Sequence, residues 1–206
     1  MARLVSLVVP VRGGGQGKSR LAVSDARRAQ LADAIALDTV HAARAAAGVG
    51  EFVVVGALPE PVDGVRVVAD PGFGLVVAMA AGLAELDPDA STAVILGDLP
   101  ALHPADLDAA LLAASEHSWA FVPDASGSGT TLVVAAAGLP HSLRFGFGSA
   151  EAHAEAGYVD LTAGVAGPSL AVATLRRDVD TVEDLRAAAA LGLGPRTRAV
   201  LASPGE

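Results

Sequence analysis

Short, almost wholly apolar runs recur along the chain, each followed by a polar or glycine-rich turn and then by a stretch with helical spacing. Leu4 to Val9 is the first such run, and it stops at Pro10. Apolar runs without alternation predict strands buried on both faces. Phe52 to Val55, Val65 to Ala69, Thr92 to Leu96, Trp119 to Val122, Thr131 to Ala135 and Leu170 to Leu175 read in the same way. Between them lie predicted helices at Ser24 to Ala47, Leu75 to Leu86, Pro104 to about Ser115 and Ser149 to Ala156. In the first helix Leu31, Ile35, Leu37 and Val40 fall near one face, and Gly48 ends it. Pro104 suits a first helical turn. Thr181, with Asp184 three residues on, predicts a capped final helix. Beyond Gly192 the tail holds Gly, Pro and Arg, and fraying is expected there. Strands alternating with helices predict a single α/β domain over residues 1–192 and a tail over 193–206. The expected sheet is mostly parallel and doubly wound, Rossmann-like, with helices on both faces.

Such sheets bind ligands at the carboxyl ends of their strands. The polar and glycine-rich residues fall at those ends: Arg12 to Lys18, Asp70 to Gly74, Asp98, and Asp124 to Thr130.

Composition narrows the chemistry. A chain of 206 residues suits one domain, and 52% hydrophobic residues supply its core. The net charge of -9 opposes binding to nucleic acid or to an anionic membrane. The absence of cysteine excludes disulfides, thiolate zinc sites and a cysteine nucleophile. No stretch reads as a membrane span or a cleaved signal, so a cytoplasmic location is expected.

Four constellations carry possible chemistry. Gly13 to Lys18 can offer backbone N–H groups to phosphate, with Arg12 and Lys18 adding charge. The alternative is a plain strand-to-helix turn. A Walker A loop would need glycine where Arg12 stands, so that pattern fails by one residue. Asp98, ending an apolar strand, can hold Mg²⁺, a hard cation often bound by one or two carboxylates plus phosphates. It can equally be a turn residue. Asp178 and Asp180 are two apart and would share a side if the strand continued to them. The loops Asp124 to Thr130 and Phe145 to Ser149 can present N–H and O–H groups to an anion, the second at a helix start. Either can be an ordinary turn. The five histidines show no metal spacing, and His153 lies one helical turn beyond Ser149.

Taken together, Lys18-Ser-Arg-Leu21, Gly97-Asp-Leu-Pro-Ala-Leu102, Asp124-x-x-Gly-x-Gly-Thr130, Phe145-Gly-x-Gly-Ser149 with His153, and Asp178-Val-Asp-Thr-x-x-Asp-Leu185 resemble the CofC/FbiD family. These are guanylyltransferases of deazaflavin coenzyme F-420 biosynthesis with a MobA-like nucleotidyltransferase fold. The resemblance runs in order from about Leu4 to Leu185. It implies transfer of GMP from GTP to phosphoenolpyruvate, or to 2-phospho-L-lactate, with release of pyrophosphate. The product would pass to the next transferase of the pathway. On the same resemblance Asp98 and Asp180 hold Mg²⁺. Thr130, Gly146 and Ser149 hold the phosphate of phosphoenolpyruvate. Lys18, with Arg12, Gly13 and Gly14, sits on the GTP phosphates, and Lys18, Asp98 and Asp180 form the catalytic set. Arg12 stands where the family usually has lysine, and Val76 where it has an amide. The alternatives are another MobA-like nucleotidyltransferase and a degenerate GTP-binding module.

Overall fold

The computed structural model describes residues 4–11, 24–163 and 171–203. Its centre is β1 (Val5–Val11), in which every residue is buried. Parallel partners flank it: β2 (Val49–Gly56) on one side and β4 (Thr92–Ile95) on the other. Next to β2 lies β3 (Arg66–Val68), also parallel. Beyond β4 comes β6 (Thr130–Ala135), antiparallel both to β4 and to β5 (Trp119–Pro123). A two-residue β7 (Val159–Asp160), not anticipated from the sequence, adds parallel to β5. The order is β3-β2-β1-β4-β6-β5-β7.

The continuous apolar runs are explained by burial on both faces. Leu7, Val9, Phe52, Val54, Ile95 and Leu132 pack beneath α1 (Asp25–Arg44) and α3 (Pro104–Ala114). Their sequence neighbours Val8, Val53, Val55, Val94 and Val133 point the other way, against α2 (Leu75–Leu83) and α4 (Ser149–Glu155). Each fully buried large apolar side chain contributes roughly 1.5–3 kcal/mol. Gly82 lets α2 lie close, for a Cβ there would come 2.5 Å from the Val8 side chain and 2.6 Å from that of Val55.

Three expectations need correction. Of the expected strand at Leu170 to Leu175, Leu170 lies outside the described residues, and the rest is not a strand: 171–172 are irregular and 173–176 form a turn. Both the N–H and the hydroxyl of Thr174 donate to Asp106 Oδ2, at 3.0 and 2.6 Å. Those bonds to the first turn of α3 satisfy the backbone locally, and only Val172 and Leu175 are buried there. The region after Gly192 is not a frayed tail: Pro195–Ala202 is a helix, α6, packed on α1. Its N-cap, Gly194, offers no side chain. The carboxylate of Asp38, on α1, accepts the N–H groups of Arg196 and Thr197 at 3.1 and 2.7 Å instead. The expected long helices also stop earlier, α1 at Arg44 and α2 at Leu83. The final capped helix is α5 (Val182–Leu191), with a full capping box between Thr181 and Asp184.

Candidate active site

The carboxyl ends of β1, β4 and β5 and the start of antiparallel β6 meet at one edge of the sheet. A crevice of about 620 Å³ opens there, within the range usual for small-ligand sites. Its walls divide into an acidic half and a glycine-and-hydroxyl half.

The acidic half is built around Asp98. Thr39, fully buried on α1, donates its hydroxyl to the Ile35 carbonyl at 2.8 Å and accepts the Leu99 N–H at 2.9 Å. That pair of bonds pins the turn after β4 to α1. Gly97 has no alternative, since a Cβ would stand 2.6 Å from the Pro10 carbonyl oxygen. The Val179 N–H then donates to the Asp98 carbonyl at 3.1 Å, which draws the 178–180 segment alongside. Asp184 completes the anchorage by accepting the N–H groups of Asp180 and Thr181 at 3.3 and 2.9 Å. Asp98, Asp178 and Asp180 therefore line the same crevice, with Asp124 across from them.

Their electrostatics single out one residue that the sequence reading left as an alternative. Burial first, and then the charges of Asp98, Asp124 and Asp180, together push the Asp178 carboxyl up to about 7 against a local backbone hydrogen bond. Asp178 is half-buried while Asp180 is exposed. Its signal in the sequence was the two-residue spacing. That spacing could not rank the pair, because residues 178–180 are irregular and not part of a strand.

The opposite half consists of two loops tied to each other. Asp124 Oδ1 accepts the Ser126 hydroxyl at 2.8 Å and the Ser128 N–H at 3.1 Å, closing the β5–β6 turn. Gly129 passes so near that a Cβ would meet Asp124 Oδ2 at 2.5 Å. Arg176 reaches in from the 170s turn and donates to the Asp124 carbonyl at 2.8 Å. The Ser128 carbonyl accepts the Ala150 N–H at 3.1 Å, which joins this turn to the loop before α4. Thr130, Gly146 and Ser149 all line the crevice as a result. Phe147, between two glycines, stands fully exposed at the rim.

His153 is not in the crevice lining. It is wholly buried behind Thr130, among Phe121, Phe145 and Tyr158. Its Nδ1 lies 2.9 Å from Thr130 Oγ1, and its Nε2 accepts the Arg144 N–H at 3.1 Å. Burial, with the charge of Arg144 as a lesser cause, lowers its pKa to about 4 against an opposing backbone hydrogen bond with Ser149. The imidazole is neutral at pH 7. A second histidine, His141, is likewise held at about 4, chiefly by burial and to a lesser degree by the charge of His153, against a backbone hydrogen bond with Thr92.

Arg12, Gly13, Gly14 and Lys18 lie outside the described residues. Val76, in the first turn of α2 next to crevice-lining Leu75, is exposed. Among the described residues no three carboxylate or imidazole groups form a complete metal ligand set.

An acidic crevice at the carboxyl edge of a doubly wound sheet defines the class, and residues 13–157 match the family model described as the MobA-like NTP transferase domain. The chain is a MobA-like nucleotidyltransferase, and hence an enzyme. A solved structure from Desulfovibrio desulfuricans superposes with a TM-score of 0.66 at 18% identity, covering 96% of this chain and 93% of that one. Another, from Mycobacterium tuberculosis, was solved as a complex with manganese; it has a TM-score of 0.51 and 21% identity, covering 91% and 98% of the two chains. Closer in sequence are the phosphoenolpyruvate guanylyltransferases of two Streptomyces species. That of Streptomyces avermitilis is 45% identical over 96% of this chain and 94% of its own. That of Streptomyces coelicolor is 43% identical over 96% and 95%. The chain belongs to the phosphoenolpyruvate guanylyltransferase family.

Proposed function

We propose that the chain transfers the guanylyl group of GTP to phosphoenolpyruvate, releasing pyrophosphate and forming enolpyruvoyl-2-diphospho-5'-guanosine. The observation that carries this is the meeting of an acidic and a hydroxyl-bearing wall in one crevice, in a chain 45% identical to a phosphoenolpyruvate guanylyltransferase. Thr130 and Ser149, with the backbone at Gly146, bind the phosphate of the acid. Lys18, with Arg12, Gly13 and Gly14, binds the triphosphate. Asp98 and Asp180, with Asp178 beside them, fit a hard divalent cation such as Mg²⁺. Burial and neighbouring carboxylates hold the Asp178 carboxyl at about 7, and carboxylate oxygens are the donors that such an ion takes. When bound, the ion neutralises phosphate charge.

The reaction needs no general base. A phosphate oxygen of phosphoenolpyruvate attacks the α-phosphorus of GTP. One P–O bond forms, the bond to the bridging α–β oxygen breaks, and pyrophosphate leaves with the electron pair. A phosphate monoester is already largely dianionic at pH 7, its second pKa being about 6. The protein's contribution is in-line placement and charge neutralisation. That accounts for a site with no cysteine and no histidine on its walls. Such a product serves coenzyme F-420 biosynthesis by passing to the next transferase, in the cytoplasm.

The test is pyrophosphate release with GTP, Mg²⁺ and phosphoenolpyruvate, beside controls with ATP, with 2-phospho-L-lactate and with no acid. Release that depends on GTP and phosphoenolpyruvate together is expected. Equal release without an acid, or a clear preference for phospholactate or ATP, would overturn the assignment.

A further inference from the structure

The buried imidazole behind Thr130 takes no part in the reaction described above, yet its hydrogen bonds have a direction. A backbone N–H can only donate, so the bond from Arg144 requires a lone pair on His153 Nε2. A neutral imidazole then carries its one proton on Nδ1. Protonated Nδ1 has no lone pair, so Thr130 cannot donate to it: the contact with Thr130 Oγ1 runs from histidine to threonine, with the Ser149 backbone as a second acceptor of the same proton. The threonine hydroxyl is thereby an acceptor on its protein side. Its own proton must be donated elsewhere, and Thr130, although almost wholly buried, is a residue of the crevice lining.

We propose that His153 is a positioning residue: by donating from Nδ1 to Thr130, it turns the single hydroxyl proton of Thr130 into the crevice, where an anionic phosphate oxygen accepts it. The inference rests on the reading that Thr130 binds the phosphate of the acid. It adds specificity as well as strength, because a hydroxyl fixed as a donor favours a full anion over a group that must itself donate. The ring is locked in this orientation, wedged between Phe145 and Tyr158 at centroid distances of 5.3 and 5.2 Å. The Arg144 end of the relay belongs to the segment that leads into the Phe145–Ser149 loop. The two halves of the acid site are thus joined through one imidazole.

Nitrogen-15 spectra of histidine-labelled protein read the tautomer directly, with His153→Asn identifying the signal. A proton on Nδ1 is expected, and a proton on Nε2 would overturn the proposal. Kinetics supply the second readout. Thr130→Val should raise KM for phosphoenolpyruvate by about 10- to 100-fold, and His153→Leu by about 3- to 10-fold, with KM for GTP nearly unchanged in both. His153→Asn keeps a donor near the Nδ1 position and should restore most of the loss. In a Thr130→Val background, His153→Leu should add nothing further. If Thr130→Val acts but His153→Leu does not, or if their effects simply multiply, the positioning role is wrong and the acid site stands. If Thr130→Val leaves KM for the acid unchanged, the acid site itself is misassigned and the proposal goes with it.

Discussion

At the residue scale the acidic wall makes the sharpest demands. Asp98 is carried on a turn fixed by Thr39 and Gly97, so its carboxylate can be changed without moving the backbone that bears it. Asp98→Asn is expected to lower kcat/KM by about 10²–10³-fold, equivalent to about 3–4 kcal/mol of transition-state stabilisation, with little change in melting temperature. The 178–180 segment separates two carboxylates that the sequence alone treated alike. Asp178 is half-buried and electrostatically coupled to Asp98, while Asp180 is exposed. Asp178→Asn should therefore cost activity at least as much as Asp180→Asn does. Steady-state rates of the two variants at saturating Mg²⁺ decide the point, and a silent Asp178→Asn beside a crippled Asp180→Asn would reverse the ranking. Ser149→Ala removes a hydroxyl whose charge-assisted bond is worth about 1.5–3 kcal/mol. KM for the acid should rise while that for GTP holds.

At the element scale the C-terminal helix α6 depends on a residue far away in the chain. Asp38 accepts two N–H groups at its start, and Gly194 is the residue that leaves room for the carboxylate: a Cβ there would lie 2.3 Å from Asp38 Cγ. Asp38→Ala is expected to destabilise by about 0.5–2 kcal/mol, the usual range for a lost N-terminal cap. For a domain of this size that is a fall of roughly 2–4 °C in melting temperature per kcal/mol. An unchanged melting temperature, measured by circular dichroism, would mean that α6 does not need this anchor. Most elements were legible because they follow one local rule. A strand covered on both faces is apolar along its centre, as residues 7–9, 52–55 and 93–95 are. The 171–175 segment breaks the rule in reverse. Its apolar residues looked like a strand, but Thr174 finds both of its partners on Asp106, and no local pattern reveals a partner 68 residues away.

For the molecule as a whole, the two depressed histidines tie stability to pH. Both His141 and His153 have folded pKa values of about 4 against an ordinary 6.5. Between those values the unfolded chain binds protons that the folded chain refuses. The histidine contribution is therefore complete above about pH 6.5 and is lost as the pH falls towards 4. Asp178 acts in the opposite sense when no metal is bound. Its folded pKa of about 7 exceeds the ordinary 3.8, so the folded state gains relative stability as pH falls through that window. Urea midpoints at pH 7.5, 5.5 and 4.5, with a chelator present, should fall with acidification. The fall should be steeper in Asp178→Asn, where the compensating proton uptake is gone. A midpoint independent of pH in that variant would show that the histidines are not held neutral.

The sequence by itself determined the layered α/β architecture, the edge of the sheet at which the crevice opens and the family of the chain. Each of these is written in local terms: apolar runs, the glycines and carboxylates that follow them, and motifs a few residues long. Only the tertiary structure decided that β6 runs antiparallel, so that Thr130, at the start of its strand, stands at the same edge as Asp98, beyond the end of β4. It also decided that Asp178 is the more buried of its pair, that His153 lies behind the crevice wall, and that the tail forms a helix. Burial, hydrogen-bond direction and coupling between carboxylates depend on partners brought together from distant parts of the chain, and residue spacing along one segment does not encode them.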